Sequence, residues 1–139
     1  MGKTMMVRAI EPSYLDFYWG NLHSQIKDAI SYSGDEQSPF HVREKILSGR
    51  YILLVVVEGQ NLLGHCTMST TEHPNKKILN LVTVGGTRMK EWLKDILEVI
   101  ETIGRELNCN AIYTCGRKGW ERVLKDYTPK YVICSKELL

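Results

Sequence analysis

The stretch of the chain that decides the fold is ILNLVTVGGTRMKEWLKDILEVIETIGREL, residues 78–107. Residues 78–84 are mostly aliphatic and β-branched, which predicts a buried strand, and the pair Gly85-Gly86 ends it. Over residues 89–107 the apolar side chains recur every three or four positions, while the charged side chains fall between them. This spacing predicts an amphipathic helix. A strand, a two-glycine turn and a long helix therefore follow one another directly.

The same reasoning predicts further elements on both sides of this stretch, in the order β-α-α-β-β-β-α-β-α-β. The predicted strands cover residues 5–10, 51–58, 62–71, 78–84, 111–115 and 131–135, and the predicted helices cover 12–33, 39–48, 89–107 and 119–125. Ser38 before Pro39 is a typical helix start, and Gly49 suits the end of that helix. This order is typical of an α/β (α+β) protein with a mixed, mostly antiparallel central sheet flanked by helices. Because no linker or repeat divides residues 1–139, we expect a single domain.

Composition and charge exclude several classes of protein. With 43% hydrophobic and 24% charged residues the chain is globular rather than disordered. Its 18 Lys and Arg residues nearly balance 16 Asp and Glu residues, so its net charge of +2 argues against a dedicated nucleic-acid-binding protein. The longest apolar run, residues 51–57, is far short of the roughly 20 residues that span a membrane. No signal-type apolar block follows Met1, and we therefore expect a cytoplasmic protein.

The four cysteines do not predict a metal site. Cys66, Cys109, Cys115 and Cys134 are widely spaced and form no Cys-x-x-Cys pair, so their spacing does not support zinc. We expect them to be reduced and to act as small packing residues.

The turn between strand and helix is the best candidate for a binding site. Two glycines allow a ligand to approach the backbone closely, and the amide groups at a helix start favour an anion such as phosphate. Thr87 and Arg88 complete this loop, and Arg88 adds a positive charge. The alternative is that Gly85-Gly86 is only a tight turn between two elements of the fold.

The order of elements and this junction resemble the GCN5-related N-acetyltransferase (GNAT) fold. Short sequence words along nearly the whole chain are similar to small acetyltransferase-like proteins encoded by tailed bacteriophages. These words are YSGDE (residues 32–36), HPNKK (73–77), VGG (84–86) with EWL (91–93), and GRKGWERVL (116–124).

The resemblance implies acetyl-CoA as cofactor and an amine, on a small molecule or on a protein, as acetyl acceptor. It also implies roles for particular residues. A general acid that protonates the departing thiolate would be Tyr127. The residues implied in cofactor binding are Leu81 and Val82 (thioester, through the backbone), Gly85, Gly86, Thr87 and Arg88 (pyrophosphate), Arg117 (phosphates) and Trp120 (a wall of the pantetheine tunnel).

Departures from the family pattern leave a second interpretation open. The family's pyrophosphate signature is Arg or Gln, two spacers, Gly, one spacer, then Gly or Ala, and Val82 and Thr87 stand at its outer positions here. The strand 78–84 carries no carboxylate or histidine as general base, and the nearest in sequence are Glu72 and His73. The alternative is a GNAT-fold phage protein without catalysis that serves in the virion or binds a host factor.

Partners and location follow from the same resemblance. A phage-encoded protein would act in the host cytoplasm or be carried in the virion, with no direct contact to nucleic acid or membrane. The aromatic residues Tyr14, Phe17, Tyr18 and Trp19 form a wider cluster than one buried stripe requires. They are explained by core packing, by an acceptor site or by a homodimer interface.

Overall fold

The computed structural model describes residues 4–32, 37–115, 123–131 and 133–138 of the chain. A 3-10 turn over Pro12–Tyr14 leads into the first helix. The elements, in chain order, are β1 (Met5–Ile10), α1 (Leu15–Ser31), α2 (Pro39–Leu47), β2 (Ile52–Glu58), β3 (Asn61–His73), β4 (Lys76–Gly86), α3 (Met89–Glu106) and β5 (Ala111–Thr114).

The five strands form one sheet in the order β1-β2-β3-β4-β5. Neighbours from β1 to β4 are antiparallel, and β5 runs parallel to β4 after the crossover through α3. This confirms the predicted α+β class with a mixed, mostly antiparallel sheet and helices on both faces.

The core lies on both faces of β2, the strand with the longest apolar run. Leu53 and Val55 pack with α1 and α2, whereas Leu54 and Val56 pack with α3. This alternation follows from the two-residue period of a strand. Because both faces of β2 are covered, the strand is apolar at nearly every position, as its sequence predicts.

Helix α3 covers the second face of the sheet with a single apolar stripe. Trp92, Ile96 and Ile100 are buried there, at four-residue spacing. The indole of Trp92 lies against Gly64 of β3, where an added Cβ would stand 2.3 Å from Trp92 Cζ2. None of the helices in the described ranges is long and apolar enough to cross a membrane.

The ends of α2 are confirmed as predicted. The Ser38 hydroxyl accepts a hydrogen bond from the His41 amide at 3.2 Å, and Gly49 has a φ of 79°, a left-handed conformation that glycine adopts without strain.

The last two predicted elements have different outcomes. Most of the predicted helix 119–125 lies outside the described residues. The predicted strand 131–135 is wrong, because its described residues form no strand. The side chains of Tyr131 and Ile133 are 76% and 79% exposed, and Tyr131 contacts the edge strand β5 only through the ring of Tyr113 among the described residues.

Candidate active site where β4 leaves β5

Strands β4 and β5 pair over four residues only. The parallel register runs from Ile78 opposite Ala111 to Leu81 opposite Thr114. Beyond Leu81, β4 continues to Gly86, and no described residue pairs with it on the β5 side. Within the described residues, the backbone groups on this edge of β4 therefore have no strand partner, and we call the region beside them the cleft.

A β-bulge lies at the point where the cleft opens. In the β3–β4 register, Thr67 is opposite Thr83 and Met68 is opposite Leu81, so Val82 is an extra residue with no partner. A bulge interrupts the regular ladder and redirects the local backbone. Val82 therefore differs from its neighbours in leaving main-chain groups outside the β3 ladder.

Apolar side chains line the α3 side of this opening. They enclose a cavity of about 10 Å³, just large enough for one water molecule. Leu124, from the chain beyond β5, is 3% exposed and closes the cavity. The lining residues are Leu81, Val84, Leu93, Ile96, Leu97, Ile100, Thr114 and Leu124.

The loop from β4 to α3 is fastened to β3. Gly86 has a φ of 140°, and a Cβ on it would stand 2.2 Å from the carbonyl oxygen of Leu63. The Thr87 amide donates to the same oxygen at 2.8 Å. Trp92 Nε1 donates to the Thr87 carbonyl at 2.7 Å. Only glycine fits at position 86, and the loop lies at the mouth of the cleft in a fixed conformation.

Helix α3 begins directly after this loop, and among its first amides that of Glu91 already donates to the Arg88 carbonyl at 2.9 Å. The first N–H groups of a helix have no acceptor within the helix, and the helix dipole adds positive potential there. Arg88 takes the N-cap position in a left-handed conformation, with φ 56° and ψ 35°, which is strained for a residue with a side chain.

The Arg88 guanidinium already has two carboxylate partners. It donates to Glu91 at 2.6 and 2.8 Å and to Glu58, at the end of β2, at 3.2 and 3.4 Å. The hydrogen bonds to Glu91 and then Glu58 raise the pKa of Arg88, and the bond from Arg88 lowers the pKa of Glu91. Arg88 could therefore bind a phosphate only by giving up hydrogen bonds to one of these carboxylates.

Tyr127 follows Leu124, which closes the cavity, by three residues and has a buried hydroxyl. Its amide donates to the carbonyl of Leu124 at 3.1 Å, which ties it to the residue that closes the cavity. Its hydroxyl is buried and has no hydrogen-bond partner among the described residues. Burial, and then the charges of Glu101, Cys66 and Asp126, raise the pKa of Tyr127 to about 12. The phenol therefore keeps its proton at neutral pH.

A buried polar network on the α1 face was not predicted from the sequence. His65 of β3 is fully buried, and its Nδ1 lies 3.0 Å from Gln25 Oε1 of α1. Its Nε2 lies 2.9 Å from Thr83 Oγ1, and Thr83 Oγ1 lies 2.6 Å from Thr67 Oγ1. Burial lowers the pKa of His65 to about 3, so the imidazole is neutral. The available signal was polar residues at alternate positions within an apolar strand.

The protonation state of His65 makes stability sensitive to acid. In the unfolded chain His65 binds a proton near pH 6.5, but in the folded protein only near pH 3. Its contribution is therefore complete above about pH 6.5 and is lost as the pH falls, at about 1 kcal/mol per pH unit. We expect denaturant titrations at pH 6.5 and pH 5 to show a loss of about 2 kcal/mol that His65→Gln largely abolishes. The exposed His23, changed to Gln, is the matched control; an equal loss in both variants would contradict the assignment.

The structure brings together most of the residues that the resemblance implicated. Leu81, Val82, Gly85, Gly86 and Thr87 lie in sequence along the open edge of β4 and the loop that follows. Arg117 and Trp120 lie outside the described residues.

The candidate bases named from the sequence lie elsewhere. Glu72 and His73 stand at the other end of β4, where His73 pairs with Lys76. Six residues of strand separate Lys76 from Val82, or roughly 20 Å, so neither side chain reaches the cleft. Glu72 and His73 are close to β4 in sequence, but they lie beside its first residues, and the cleft lies beside its last ones.

The aromatic cluster of the first helix is divided between core and surface. Tyr18 and Trp19 pack against the core beneath α1, whereas Tyr14 and Phe17 are 62% and 84% exposed.

Comparison with known proteins identifies the fold. The chain matches no protein-family model and no curated protein. Among solved structures it is similar to the aminoglycoside N-acetyltransferase AAC(6')-Iy in complex with CoA, with a TM-score of 0.73 and 14% identity over 99% of this chain and 97% of that one.

Two further structures give the same result. A GNAT family acetyltransferase from Staphylococcus aureus subsp. aureus has a TM-score of 0.70 at 16% identity, covering 99% of this chain and 100% of that one. A ribosomal-protein-alanine N-acetyltransferase from Brucella melitensis biovar Abortus 2308 has a TM-score of 0.67 at 14% identity, covering 96% and 100%. The chain therefore has the GNAT fold over almost its whole length.

Proposed function

We propose that this protein is an N-acetyltransferase that uses acetyl-CoA and transfers the acetyl group to an amine. The observation that carries the proposal is the separation of β4 from β5 after Leu81 and Thr114. It leaves an open backbone edge beside an apolar cleft in a chain with the GNAT fold. The arm of acetyl-CoA carries two amide groups, which the open backbone edge of β4 can bind. Because the cavity beside this edge has room for only one water molecule, the arm would have to displace Leu124 to lie between the apolar walls.

The backbone of Leu81 and Val82 would align the thioester. The bulge frees main-chain groups at Val82 from the β3 ladder. A backbone N–H directed at the acetyl oxygen stabilises the negative charge that develops there during attack, which is the largest single contribution in many acyl-transfer enzymes.

The start of α3 would bind the pyrophosphate. Gly85, Gly86 and Thr87 bring the backbone close to the mouth of the cleft, and the first amides of α3 favour an anion. The ion pairs of Arg88 with Glu58 and Glu91 oppose the binding of pyrophosphate, because two negative carboxylates surround one positive guanidinium. The fit of the loop to a diphosphate therefore depends on the helix amides.

The transfer itself needs two proton movements. The amine nitrogen forms a bond to the acetyl carbon as the carbon–sulfur bond breaks, and the nitrogen loses a proton to water or a base. The sulfur leaves as a thiolate, and Tyr127 would donate its proton to it. Although Tyr127 is a weak acid, the same burial that raises its pKa also disfavours the thiolate anion.

The direct test is calorimetric titration of acetyl-CoA into the protein and into Thr87→Glu. Thr87 is exposed at the loop, so a carboxylate there is tolerated by the fold but repels a diphosphate. We expect Thr87→Glu to weaken binding at least tenfold, and the difference to shrink at high salt.

Thr87→Gln is the matched control for this experiment. It has the size of the glutamate without its charge, and we expect it to bind within about threefold of the unmodified protein. Equal binding by Thr87→Glu and Thr87→Gln would place the diphosphate elsewhere.

Release of Arg88 should strengthen binding. Glu58→Gln removes one of the two carboxylates that hold the guanidinium, and it lowers the negative charge beside the loop. We expect acetyl-CoA affinity to rise about threefold or more, measured by the same titration. Glu98→Gln, on α3 two turns beyond Glu91, controls for net charge. Weaker binding in Glu58→Gln alone would show that Glu58 orients Arg88 for the ligand.

The paired state of Arg88 also supports a second candidate function. A GNAT-fold protein without turnover, acting as a virion component or binding a host factor, needs no free cation at this loop. Binding of acetyl-CoA followed by no acetyl transfer to a panel of amines and proteins would favour this candidate. The phage origin, the acceptor and the cytoplasmic location are parts of the proposal that rest on the sequence resemblance.

A further inference from the structure

The buried network on the α1 face ends at the bulge of β4. The amide of Thr83, the first after Val82, donates to the side-chain Oγ1 of Thr67 at 3.1 Å. A side chain thus supplies the acceptor for this amide at the place where the β3–β4 register shifts.

One set of donor and acceptor roles satisfies the whole network when it is assigned from Gln25. Gln25 Nε2 reaches the carbonyl of Leu62 at 3.5 Å, and an amide nitrogen can only donate to a carbonyl. Gln25 Oε1 therefore faces His65 Nδ1, which must carry the ring proton. His65 Nε2 is then an acceptor for the Thr83 hydroxyl.

The remaining bonds follow by elimination. The Thr83 hydroxyl has used its proton on His65, so the Thr67 hydroxyl donates to Thr83 Oγ1. Thr67 Oγ1 retains lone pairs to accept from the Thr83 amide. Each hydroxyl donates once and accepts at least once, so the chain from Gln25 to the bulge is satisfied without water. Such networks hold a single arrangement because any other leaves a buried group unpaired.

We propose that Gln25, His65, Thr83 and Thr67 are positioning residues that hold the Val82 bulge in the conformation that binds the acetyl group of acetyl-CoA. This inference rests on the proposed function, because it concerns the same ligand. It adds that the acetyl-binding backbone is set by side chains under α1, on the face of the sheet away from the apolar cleft.

If the network positions the bulge, a change in the network should affect the binding of the acetyl group and not the binding of the rest of the cofactor. CoA and acetyl-CoA share the diphosphate and the pantetheine arm, and only acetyl-CoA has the carbonyl that the bulge would bind. A disturbed bulge should therefore weaken acetyl-CoA more than CoA. A general loss of folding would weaken both equally.

The experiment compares the dissociation constants of CoA and acetyl-CoA for Thr67→Val and Thr67→Ser. Valine has the shape of threonine without the hydroxyl, whereas serine keeps it. We expect Thr67→Val to lower the affinity for acetyl-CoA relative to CoA about five- to tenfold, the value of one hydrogen bond, and Thr67→Ser to restore the ratio to within twofold.

A second variant acts on the network from its other end. Gln25→Leu removes the acceptor of His65, together with the long contact from Gln25 Nε2 to the Leu62 carbonyl of β3, and we expect the ratio to fall in the same direction. Unchanged ratios in both Thr67→Val and Gln25→Leu would overturn the positioning role and leave the proposed function standing. No binding of acetyl-CoA by the unmodified protein would overturn both.

Discussion

Gly86→Ala is expected to lower the free energy of unfolding by at least about 3 kcal/mol. Two effects add at this residue. Its φ of 140° is strained for any residue with a side chain, and the new methyl group would stand 2.2 Å from the carbonyl oxygen of Leu63. That oxygen accepts the Thr87 amide, so it cannot move away without breaking a hydrogen bond at the loop. Urea denaturation followed by circular dichroism measures the change.

Gly20→Ala is the matched control for this substitution. Gly20 lies inside α1 with nothing within 4 Å of an added Cβ. Alanine in a helix interior is favoured over glycine by about 0.5–1 kcal/mol, so this variant should be more stable than the unmodified protein. A Gly86→Ala protein as stable as the unmodified one would show that the loop is not pressed against β3 as described.

Tyr127→Phe is expected to lower kcat about 100-fold while leaving the protein as stable or slightly more stable. The loss of turnover follows from removal of a general acid, and the loss is in this range for positioned proton donors. The stability follows from the structure, because the hydroxyl is buried without a partner and its removal relieves a desolvation cost of about 1 kcal/mol. Steady-state acetylation of an accepted amine and urea denaturation give the two measurements.

The exposed Tyr131 provides the matched control for Tyr127. Tyr131→Phe makes the same chemical change at a side chain that is 76% exposed, where it removes a hydrogen bond to Tyr113 at the surface. We expect kcat to stay unchanged and the free energy of unfolding to change by less than about 0.5 kcal/mol. A Tyr127→Phe protein with full turnover would exclude the phenol as the acid. In that case the thiolate takes its proton from water.

Elements with one-sided apolar spacing were predicted well from the sequence. The predicted helix 89–107 differs from α3 by one residue at its end, because its stripe faces a sheet along its whole length. The hairpin of β3 and β4 is longer than predicted, since its outer pairs, such as Glu72 opposite Lys77, are exposed and carry no apolar signal. The prediction of a strand over residues 131–135 was wrong. The sequence there is strand-like, but its described residues pair with none of the five strands.

The features that define the candidate site depend on contacts between distant residues. Arg88 binds Glu58, thirty positions away, and His65 binds Gln25 and Thr83, forty and eighteen positions away. No local pattern encodes such pairs. The loop glycines could be named because a tight turn demands their residue type, whereas the bulge at Val82 arises from a register shift between two strands.

The most direct test of the account is titration of ¹⁵N-labelled protein with acetyl-CoA, followed by NMR amide shifts. We expect the largest shifts at Val82, Gly86, Thr87 and the first residues of α3, and small shifts in β1 and α2. No shifts at millimolar acetyl-CoA, or shifts confined to other parts of the sheet, would contradict the claim that the opening between β4 and β5 binds this ligand.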